Sequence, residues 1–331
     1  EKLTLNLGGC NSFYLESLQD LSGHPSLQEL TINVSYSDIR DAAAVSNALI
    51  GMTQLTKLDL RFEWCRALEN VTSLSKVLLS LSNLTYLKLN FNCCALSASL
   101  PDLGKIQTLE NLYIDYSFTR TKPGKKTMFI LQLRNLRVLA LRFKGCQDYF
   151  TDLGSFQGLE KLSNLADLRL DFSYTSLKDA AALSLLKGLN KLTRCILKFQ
   201  KCTQLESISW LLEAIRHIDE VDINLSECKQ LDSNLQASFS NWRDIATAMG
   251  DSLGSLLVTE YEPDEEVEYF SARERCWVAA VVRNIVQDEI IVRFPQPLRG
   301  TIYTRRFPLT EASTRLRRPN NNSRYYRIGS Q

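Results

Sequence analysis

A strand-like pattern that returns about every 27 residues constrains this chain more than any other feature of its sequence. In residues 58 to 65, Leu58, Leu60 and Phe62 alternate with polar residues, and Cys65 follows three positions later. Such alternation is typical of a strand with one buried face. The pattern occurs nine times in the first two thirds of the chain. A fixed period of this length indicates stacked units, each of which covers the apolar face of its neighbour.

The last position of the pattern is nearly always a small residue with one polar atom. Six of the nine cysteines occupy it, and the other three repeats carry a hydroxyl there. We call these nine positions the turn column: Cys10, Ser37, Cys65, Cys94, Thr119, Cys146, Thr175, Cys202 and Cys228. The chain must bend after each strand, and backbone groups buried in the bend need partners. We therefore interpret the turn column as structural.

The pattern L-x-L-x-x-C, which Leu60, Phe62 and Cys65 carry, resembles the leucine-rich repeat, in particular its cysteine-containing, ribonuclease-inhibitor-like class. The resemblance covers roughly residues 1 to 230. It implies an α/β fold, a curved solenoid with a parallel β-sheet on its concave face and helices outside. An additional apolar residue upstream, Leu55 in this repeat, predicts a longer strand than the family pattern.

Two other roles for the cysteines compete with the structural one. Cys65 with Cys94, or Cys202 with Cys228, stand on adjoining rungs about 4.8 Å apart, a separation that a disulfide tolerates. Metal ligands would have to converge on one point, whereas this column spreads along the solenoid axis. The cysteine count is odd, and no short disulfide framework is visible. We therefore expect no metal, no cofactor and a reducing compartment.

The segments between the strands have apolar residues at helical spacing, which predicts helices on the outer side. These segments are residues 41–52, 74–83, 153–164, 179–190 and 205–217. Pro101 predicts an irregular loop in the shortest repeat, and residues 119–126 form a basic insertion with a Pro-Gly turn.

The polar positions of the strands face outward, and the concave face of such a solenoid is its usual binding surface. Opposite charges there could pair across strands and leave a merely solvated face. The alternative is a surface for a protein partner, centred on side chains that favour interfaces or carry positive charge. Its residues are Arg61, Lys88, Tyr113, Arg142, Arg169 and Lys198.

The repeat pattern stops near Leu235, and a different composition begins beyond it. Residues 235–250 predict one helix that caps the last rung through Phe239, Trp242 and Ile245. Residues 264–331 contain twelve arginines and no lysine, open with acidic residues and continue in short β-rich runs.

The order Val267-Glu268-Tyr269, Trp277 and Phe294 resembles an SH3-like barrel of the Tudor or Agenet kind. The resemblance implies an aromatic cage for a methylated side chain, whose candidates are Tyr269, Trp277, Phe294 and Tyr303. A small barrel also needs aromatic residues simply to fill its core. The Pro295-Gln296-Pro297 run departs from the family pattern, which has an acidic or amide residue there.

Arginine with interleaved tyrosine ends the chain, a pattern that suits either a polyanion or an acidic protein surface. The candidate contacts are Arg315, Arg317, Arg318, Arg324 and Arg327. We predict four segments: a solenoid of about nine repeats (1–234), a capping helix and linker (235–262), an SH3-like barrel (263–318) and an Arg/Tyr-rich tail (319–331).

Charge and motif content narrow the function. The net charge is +2, with −2 in residues 1–263 and +4 in the remainder, too little for wholesale polyanion binding. His24 and His217 are the only histidines, and no catalytic motif spacing occurs. No apolar run approaches the roughly 20 residues of a membrane span. We therefore expect a non-catalytic scaffold or docking subunit; the alternative is a nucleic-acid or methylated-histone reader acting through residues 264–331.

The compartment is predicted less directly. Free thiols favour the cytoplasm or nucleus. Because the chain begins at Glu1 inside a strand, we expect a further segment upstream, which leaves organelle import open. Sequons at Asn33, Asn70, Asn83, Asn224 and Asn321 make secretion the alternative.

Overall fold

The computed structural model describes residues 1–10, 15–96, 103–119, 132–146, 151–249, 266–271, 276–286, 289–293, 304–308 and 316–317. The chain divides into two compact units, Glu1–Ala248 and Met249–Gln331, and each is described by itself. The irregular loop predicted at Pro101 and the basic insertion beyond Thr119 lie outside the described residues.

The first unit is a solenoid of stacked strand-and-turn units, the architecture that the sequence predicts. Nine parallel strands follow one another in chain order within one sheet, so each pairs with the next repeat. The strands are β1 Lys2–Asn6, β2 Glu29–Asn33, β3 Lys57–Arg61, β4 Tyr86–Asn90, β5 Asn111–Asp115, β6 Val138–Arg142, β7 Asp167–Asp171, β8 Arg194–Lys198 and β9 Glu220–Asn224. Sequential parallel order requires every connection to cross outside the sheet, as in a solenoid.

The core consists of apolar columns that run from rung to rung. Leu58 lies opposite Leu30 and Leu87, and Leu60 lies opposite Ile32 and Leu89. The column after the strands is aromatic, and its rings stack with centroids 5.3–6.0 Å apart in the order Phe62, Phe91, Tyr116, Phe143, Phe172 and Phe199. Offset stacking at this distance is favourable for aromatic rings. Residues at equivalent positions of successive repeats therefore pack on one another and form the core.

The strands are shorter than the extra upstream leucine predicts. Each of the nine has five residues, and Leu55 stands two positions before β3. Leu55 is fully buried, and its backbone N–H closes a turn on the carbonyl of Met52. The residue therefore fills the core without joining the sheet, because the chain is still turning inward there.

The outer segments are helical, but only some of them are α-helical. Helices α1 (Ala43–Ala48), α2 (Thr72–Ser80) and α3 (Leu211–Ile215) fall within or overlap the predicted segments. Residues 153–164 and 179–190 are helical as predicted, but they form the 3-10 helices Gly154–Phe156, Leu159–Lys161 and Ala181–Gly188. A 3-10 helix rises about 2.0 Å per residue, against about 1.5 Å for an α-helix. It therefore covers the same length with fewer residues.

The last rung is covered by more than the single helix predicted for residues 235–250. A 3-10 turn (Ser233–Leu235) leads into a two-residue strand, β10 (Ser238–Phe239), which pairs antiparallel with β9. Helix α4 (Trp242–Ala248) follows and buries Ile245 and Ala246. An added strand uses the edge hydrogen bonds of β9, which a helix alone would leave unpaired.

The second unit contains a five-stranded antiparallel sheet: β11 (Glu266–Ser271), β12 (Cys276–Val286), β13 (Glu289–Arg293), β14 (Thr304–Pro308) and β15 (Leu316–Arg317). Strands β11 to β14 form a meander, and β15 returns to pair with β11. The buried residues of this sheet include Val267, Glu268 and Tyr269 on β11, Ala280 and Val282 on β12, and Ile290 and Val292 on β13.

Among the described residues, none of the helices combines the length and the hydropathy needed to cross a bilayer.

Candidate binding surfaces

Five of the six residues proposed for the concave face line one shallow groove across β4 to β8. They are Lys88, Tyr113, Arg142, Arg169 and Lys198, and Arg61 lies outside this groove. Lys144 adds a fifth basic side chain, while Glu63, Asp115 and Asp171 contribute acidic ones, so the lining carries an excess of two positive charges. Tyr86 also lines the groove, with its ring centroid 5.2 Å from that of Tyr113.

Most of the basic side chains have an acidic neighbour. Arg169 donates two hydrogen bonds to Asp167, at 2.9 and 2.5 Å, and Arg61 donates two to Asp59, at 3.1 and 2.8 Å. These bonds to carboxylates raise the pKa of both guanidinium groups. Lys88 and Arg142 make looser pairs, 3.7 Å from Asp59 and 3.6 Å from Asp115.

Lys198 differs from the other basic residues of the groove. Its side chain is exposed, and it makes no ion pair within 4.0 Å among the residues that the structure describes. Paired and unpaired cations thus share this groove, and the partner surface stays a prediction.

The last residues of the nine strands form one outward-facing column, and five of its acidic and amide residues bond to the turn that follows them. Their side-chain oxygens accept the backbone N–H two positions later, at 2.8–3.0 Å, in Asn33, Asn90, Asp115, Asp171 and Asn224. These Asx turns bend the chain at the end of the strand. In β3, β6 and β8 this column holds Arg61, Arg142 and Lys198. These side chains have no oxygen that could accept such a bond.

The turn column pairs with buried carbonyl groups. The thiols of Cys65, Cys94, Cys146, Cys202 and Cys228 donate to the carbonyl oxygen of the residue that directly follows the preceding rung's strand, at 2.9–3.2 Å. These acceptors are Val34, Phe62, Tyr116, Phe172 and Phe199. Ser37 and Thr175 instead donate to the carbonyl of their own rung, at 2.6 and 2.7 Å. Cys10 is half-buried at the first rung, where its N–H donates to the Leu7 carbonyl.

These thiols are poorly suited to chemistry. Burial raises the pKa of Cys146 to about 11 and that of Cys228 to about 12, and it also raises the pKa of Cys65, Cys94 and Cys202. A thiol protonated at neutral pH is neither a nucleophile nor a metal ligand. All the cysteines of the column are free rather than disulfide-bonded. Within the described ranges, no three His, Cys, Asp or Glu side chains are grouped to hold a metal ion.

The sequence interpretation missed a column of left-handed residues immediately before the turn column. Every rung has one, with φ between +56° and +75°: Gly9, Tyr36, Trp64, Cys93, Phe118, Gly145, Tyr174, Lys201 and Glu227. In seven of the nine rungs it is the third residue of a turn closed by one backbone bond, for example from Cys65 N–H to the Phe62 carbonyl at 3.1 Å. In the other two rungs the hydroxyl of Ser37 or Thr175 donates to the corresponding carbonyl. This position favours Gly or Asn, yet four of the nine residues are aromatic.

We call Tyr36, Trp64, Phe118 and Tyr174 the aromatic ridge. Tyr36 is 65% exposed, Phe118 49% and Trp64 38%. The Tyr36 and Trp64 rings stack with their centroids 6.2 Å apart. The Arg66 guanidinium lies 5.0 Å from the Trp64 centroid, and the ammonium groups of Lys144 and Lys201 lie 5.1 and 5.0 Å from that of Tyr174. The signal was present in the sequence, since each aromatic directly precedes the turn column.

The candidate cage and tail of the second unit fall largely outside the described residues. Tyr269 is 2% exposed and pairs on either side with Val278 and Leu316, which favours the core alternative for its ring. Trp277 lies in β12 opposite Phe270, but its side chain is not described; Phe294 and Tyr303 lie outside the described ranges. Arg317 belongs to β15, where its backbone lies opposite that of Glu268 in β11. Arg315, Arg318, Arg324 and Arg327 lie outside the described residues.

Comparisons with known proteins add little to these observations. No protein-family model matches the chain, and no curated protein matches it. Among solved structures, the chain is similar to an internalin (inlF) from Listeria monocytogenes, at 18% identity and a TM-score of 0.35, covering 59% of this chain and 54% of that one. It is also similar to the crystal structure of a TLR13–ssRNA13 complex, at 16% identity and a TM-score of 0.35, covering 70% of this chain and 39% of that one. The chain thus spans 54% of the first structure and 39% of the second. The fold assignment rests on the strand order and register of the chain itself.

Proposed function

We propose that this chain is a non-catalytic scaffold or docking subunit of a larger assembly, and that its groove binds an acidic segment of a partner protein. The observation that carries the proposal is the gathering of Lys88, Arg142, Arg169 and Lys198, with an excess of positive charge, around Tyr113. Arginine and tyrosine are enriched among the residues that dominate interface energies. Complementary charge guides the encounter and the register of two partners.

The loose ion pairs leave these cations available to a partner. Arg142 has a side chain that is 66% exposed, and it lies 3.6 Å from Asp115. Exposed pairs of this kind contribute about 0–1 kcal/mol, so exchanging Asp115 for a partner carboxylate costs little. Arg169 is held by two bonds to Asp167, which orients its guanidinium over the groove before a partner arrives. Lys198 has no pair to break among the described residues.

A second contact belongs to the C-terminal unit, which we propose to be an SH3-like barrel. The strand order β14-β13-β12-β11-β15 supports the proposal, because the first strand is paired with both the second and the last. An irregularity in the pairing of β12 between Val282 and Asn284 would bend that strand. Two sites on one chain gain effective concentration when their partners are held together.

The test compares the partners of matched charge variants by quantitative affinity purification. The groove variant is Arg142→Glu with Lys198→Glu, and the control is Lys76→Glu with Lys178→Glu, two exposed lysines outside the groove. Both pairs change the net charge equally. We expect the groove variant to lose a protein that the wild type and the control both retain, by about tenfold or more.

Equal recovery by the groove variant and the wild type would refute the docking groove. The alternative function is measured on the same full-length chain with RNA at two salt concentrations and with methylated histone peptides. Tight RNA binding that weakens steeply with salt, or methyl-peptide binding lost in Trp277→Ala, would favour the C-terminal reader instead. We expect neither.

A further inference from the structure

We propose that the aromatic ridge is a docking site separate from the groove, and that it binds an extended acidic segment of a protein through that segment's aliphatic or prolyl side chains. The ridge lies in the turns that follow the strands, and of its four residues only Phe118 also borders the groove. The proposal thus goes beyond the function proposed above.

The exposed apolar surface of the described solenoid is concentrated at the ridge. Five large hydrophobic side chains are exposed in the described residues, and Tyr36, Trp64 and Phe118 are three of them. The other two, Ile50 and Leu79, lie on the outer helical side. Tyr36 and Trp64 stand on adjoining rungs with stacked rings, and Phe118 follows two rungs further along. Grouped exposed apolar side chains often mark an interaction site.

The backbone shows that folding does not require these aromatics. They stand at left-handed φ values, where a bulky side chain is an outlier and glycine is favoured. Two rungs do use glycine at this position, Gly9 and Gly145, with the same turn. Cys93, Lys201 and Glu227 take the same backbone conformation in three further rungs, so forming the turn does not depend on an aromatic side chain.

The charged side chains in contact with the ridge rings indicate which ligand the ridge binds. Arg66 and Lys144 flank the ridge, and neither makes an ion pair within 4.0 Å among the described residues. Lys201, the third cation in contact with the rings, pairs with Glu227 at 3.4 Å. Two cations that contact the rings therefore have no ion pair among the described residues, and they complement an acidic segment.

The same contacts disfavour stacking of nucleic acid bases. Tyr36 stacks on Trp64, Arg66 lies over the Trp64 ring, and two lysines lie over the Tyr174 ring. A base would have to displace these groups before it could stack. Aliphatic or prolyl side chains can contact the exposed parts of these rings without displacing them, since Tyr36 is 65% and Phe118 49% exposed.

The experiment measures fluorescence anisotropy of labelled 12-residue peptide pools with the full-length chain. One pool alternates Asp or Glu with Leu, Val or Pro, a second replaces the acidic residues by Lys, and an oligouridylate of equal length is the third probe. We expect the acidic pool to bind and the basic pool and the oligouridylate to bind at least about tenfold more weakly.

The decisive variant is Tyr36→Gly with Trp64→Gly, which removes two rings that do not line the groove. Glycine suits the left-handed backbone, so the variant should fold, and its thermal unfolding is measured alongside. The matched control is Cys93→Gly, the same substitution at the same turn position in the next rung. We expect the double variant to lose about tenfold or more in affinity and Cys93→Gly to stay within about twofold.

Three results would overturn the proposal: no binding of the acidic pool, tighter binding of the oligouridylate, or unchanged affinity in the double glycine variant. Arg142→Glu with Lys198→Glu separates the two sites. If it abolishes binding of the acidic pool while the glycine variant does not, the peptide lies in the groove. The ridge proposal then fails and the proposed function stands.

Discussion

At the scale of single residues, one turn position shows how a repeat accepts very different side chains. The backbone takes a left-handed φ there in all nine rungs, whether the residue is glycine, aromatic or charged. The conformation costs an L-residue roughly 1–2 kcal/mol. It also reverses the chain, so that the following residue, which belongs to the turn column, packs against the core. The rung therefore imposes the conformation, and the residue bears the cost.

Gly145 is the position where this backbone also has to leave room for a neighbour. A Cβ built on Gly145 would lie 2.4 Å from two ring atoms of Phe118, whereas a Cβ on Gly9, at nearly the same φ, meets nothing within 4 Å. We expect Gly9→Ala to cost about 1 kcal/mol from backbone strain. Gly145→Ala should cost about 1–3 kcal/mol more, because Phe118 must move. Urea denaturation of the two variants measures the difference, and equal losses would mean that Phe118 does not rest on Gly145.

At the scale of elements, the rung is the unit of stability, and its neighbours determine how much each leucine contributes. Interior strands bury their core residues on both sides, and Leu60 in β3 is fully buried. In β1 the equivalent Leu5 remains partly exposed in the described structure. Strands thus have the same sequence pattern but unequal burial, because the first rung is packed on one side by β2.

The paired substitutions Leu60→Ala and Leu5→Ala test this inequality directly. Leu60→Ala should reduce the free energy of unfolding by about 2–5 kcal/mol, the usual cost of a core leucine. Leu5→Ala removes the same atoms from a half-exposed position, and we expect about half that loss or less. Chemical denaturation followed by circular dichroism gives both values. A loss at Leu5 equal to that at Leu60 would contradict one-sided packing of the first rung.

At the scale of the whole molecule, two units with separate cores share one chain. The boundary at Ala248 assigns β10 and α4 to the solenoid, whereas the sequence placed the capping segment with the linker. The assignment has a physical basis: Phe239 pairs with Ile223 of β9, and Asn234 donates to the carbonyl of Ala248. The cap is therefore part of the solenoid's cooperative structure.

Two truncations distinguish these boundaries. Residues 1–248 should unfold at nearly the melting temperature of the solenoid transition in the full chain. Residues 1–234 lose the buried side chains of Phe239 and Ile245 and should be less stable by about 3 kcal/mol or more. Differential scanning calorimetry provides both comparisons. Similar melting of the two fragments would show that the cap contributes little.

The repeat architecture could be predicted from the residue pattern: nine parallel strands, the buried columns that include Leu58, Leu60 and Phe62, and the position of the turn column. A solenoid rung contacts only its neighbours, so a pattern local to each repeat is enough to specify it. Even the groove residues could be found from sequence, because alternation along a strand shows which side chains face outward.

Which of the groove side chains are held by ion pairs or turn hydrogen bonds could be seen only in the tertiary structure. Asp115 is held by its own turn and Arg169 by Asp167, while Lys198 has no ion pair among the described residues; these states depend on where neighbouring rungs place their polar atoms. The same holds for the left-handed turns, the 3-10 helices and β10. Each arises because backbone groups must be paired across rungs, a requirement that the spacing of apolar residues does not record.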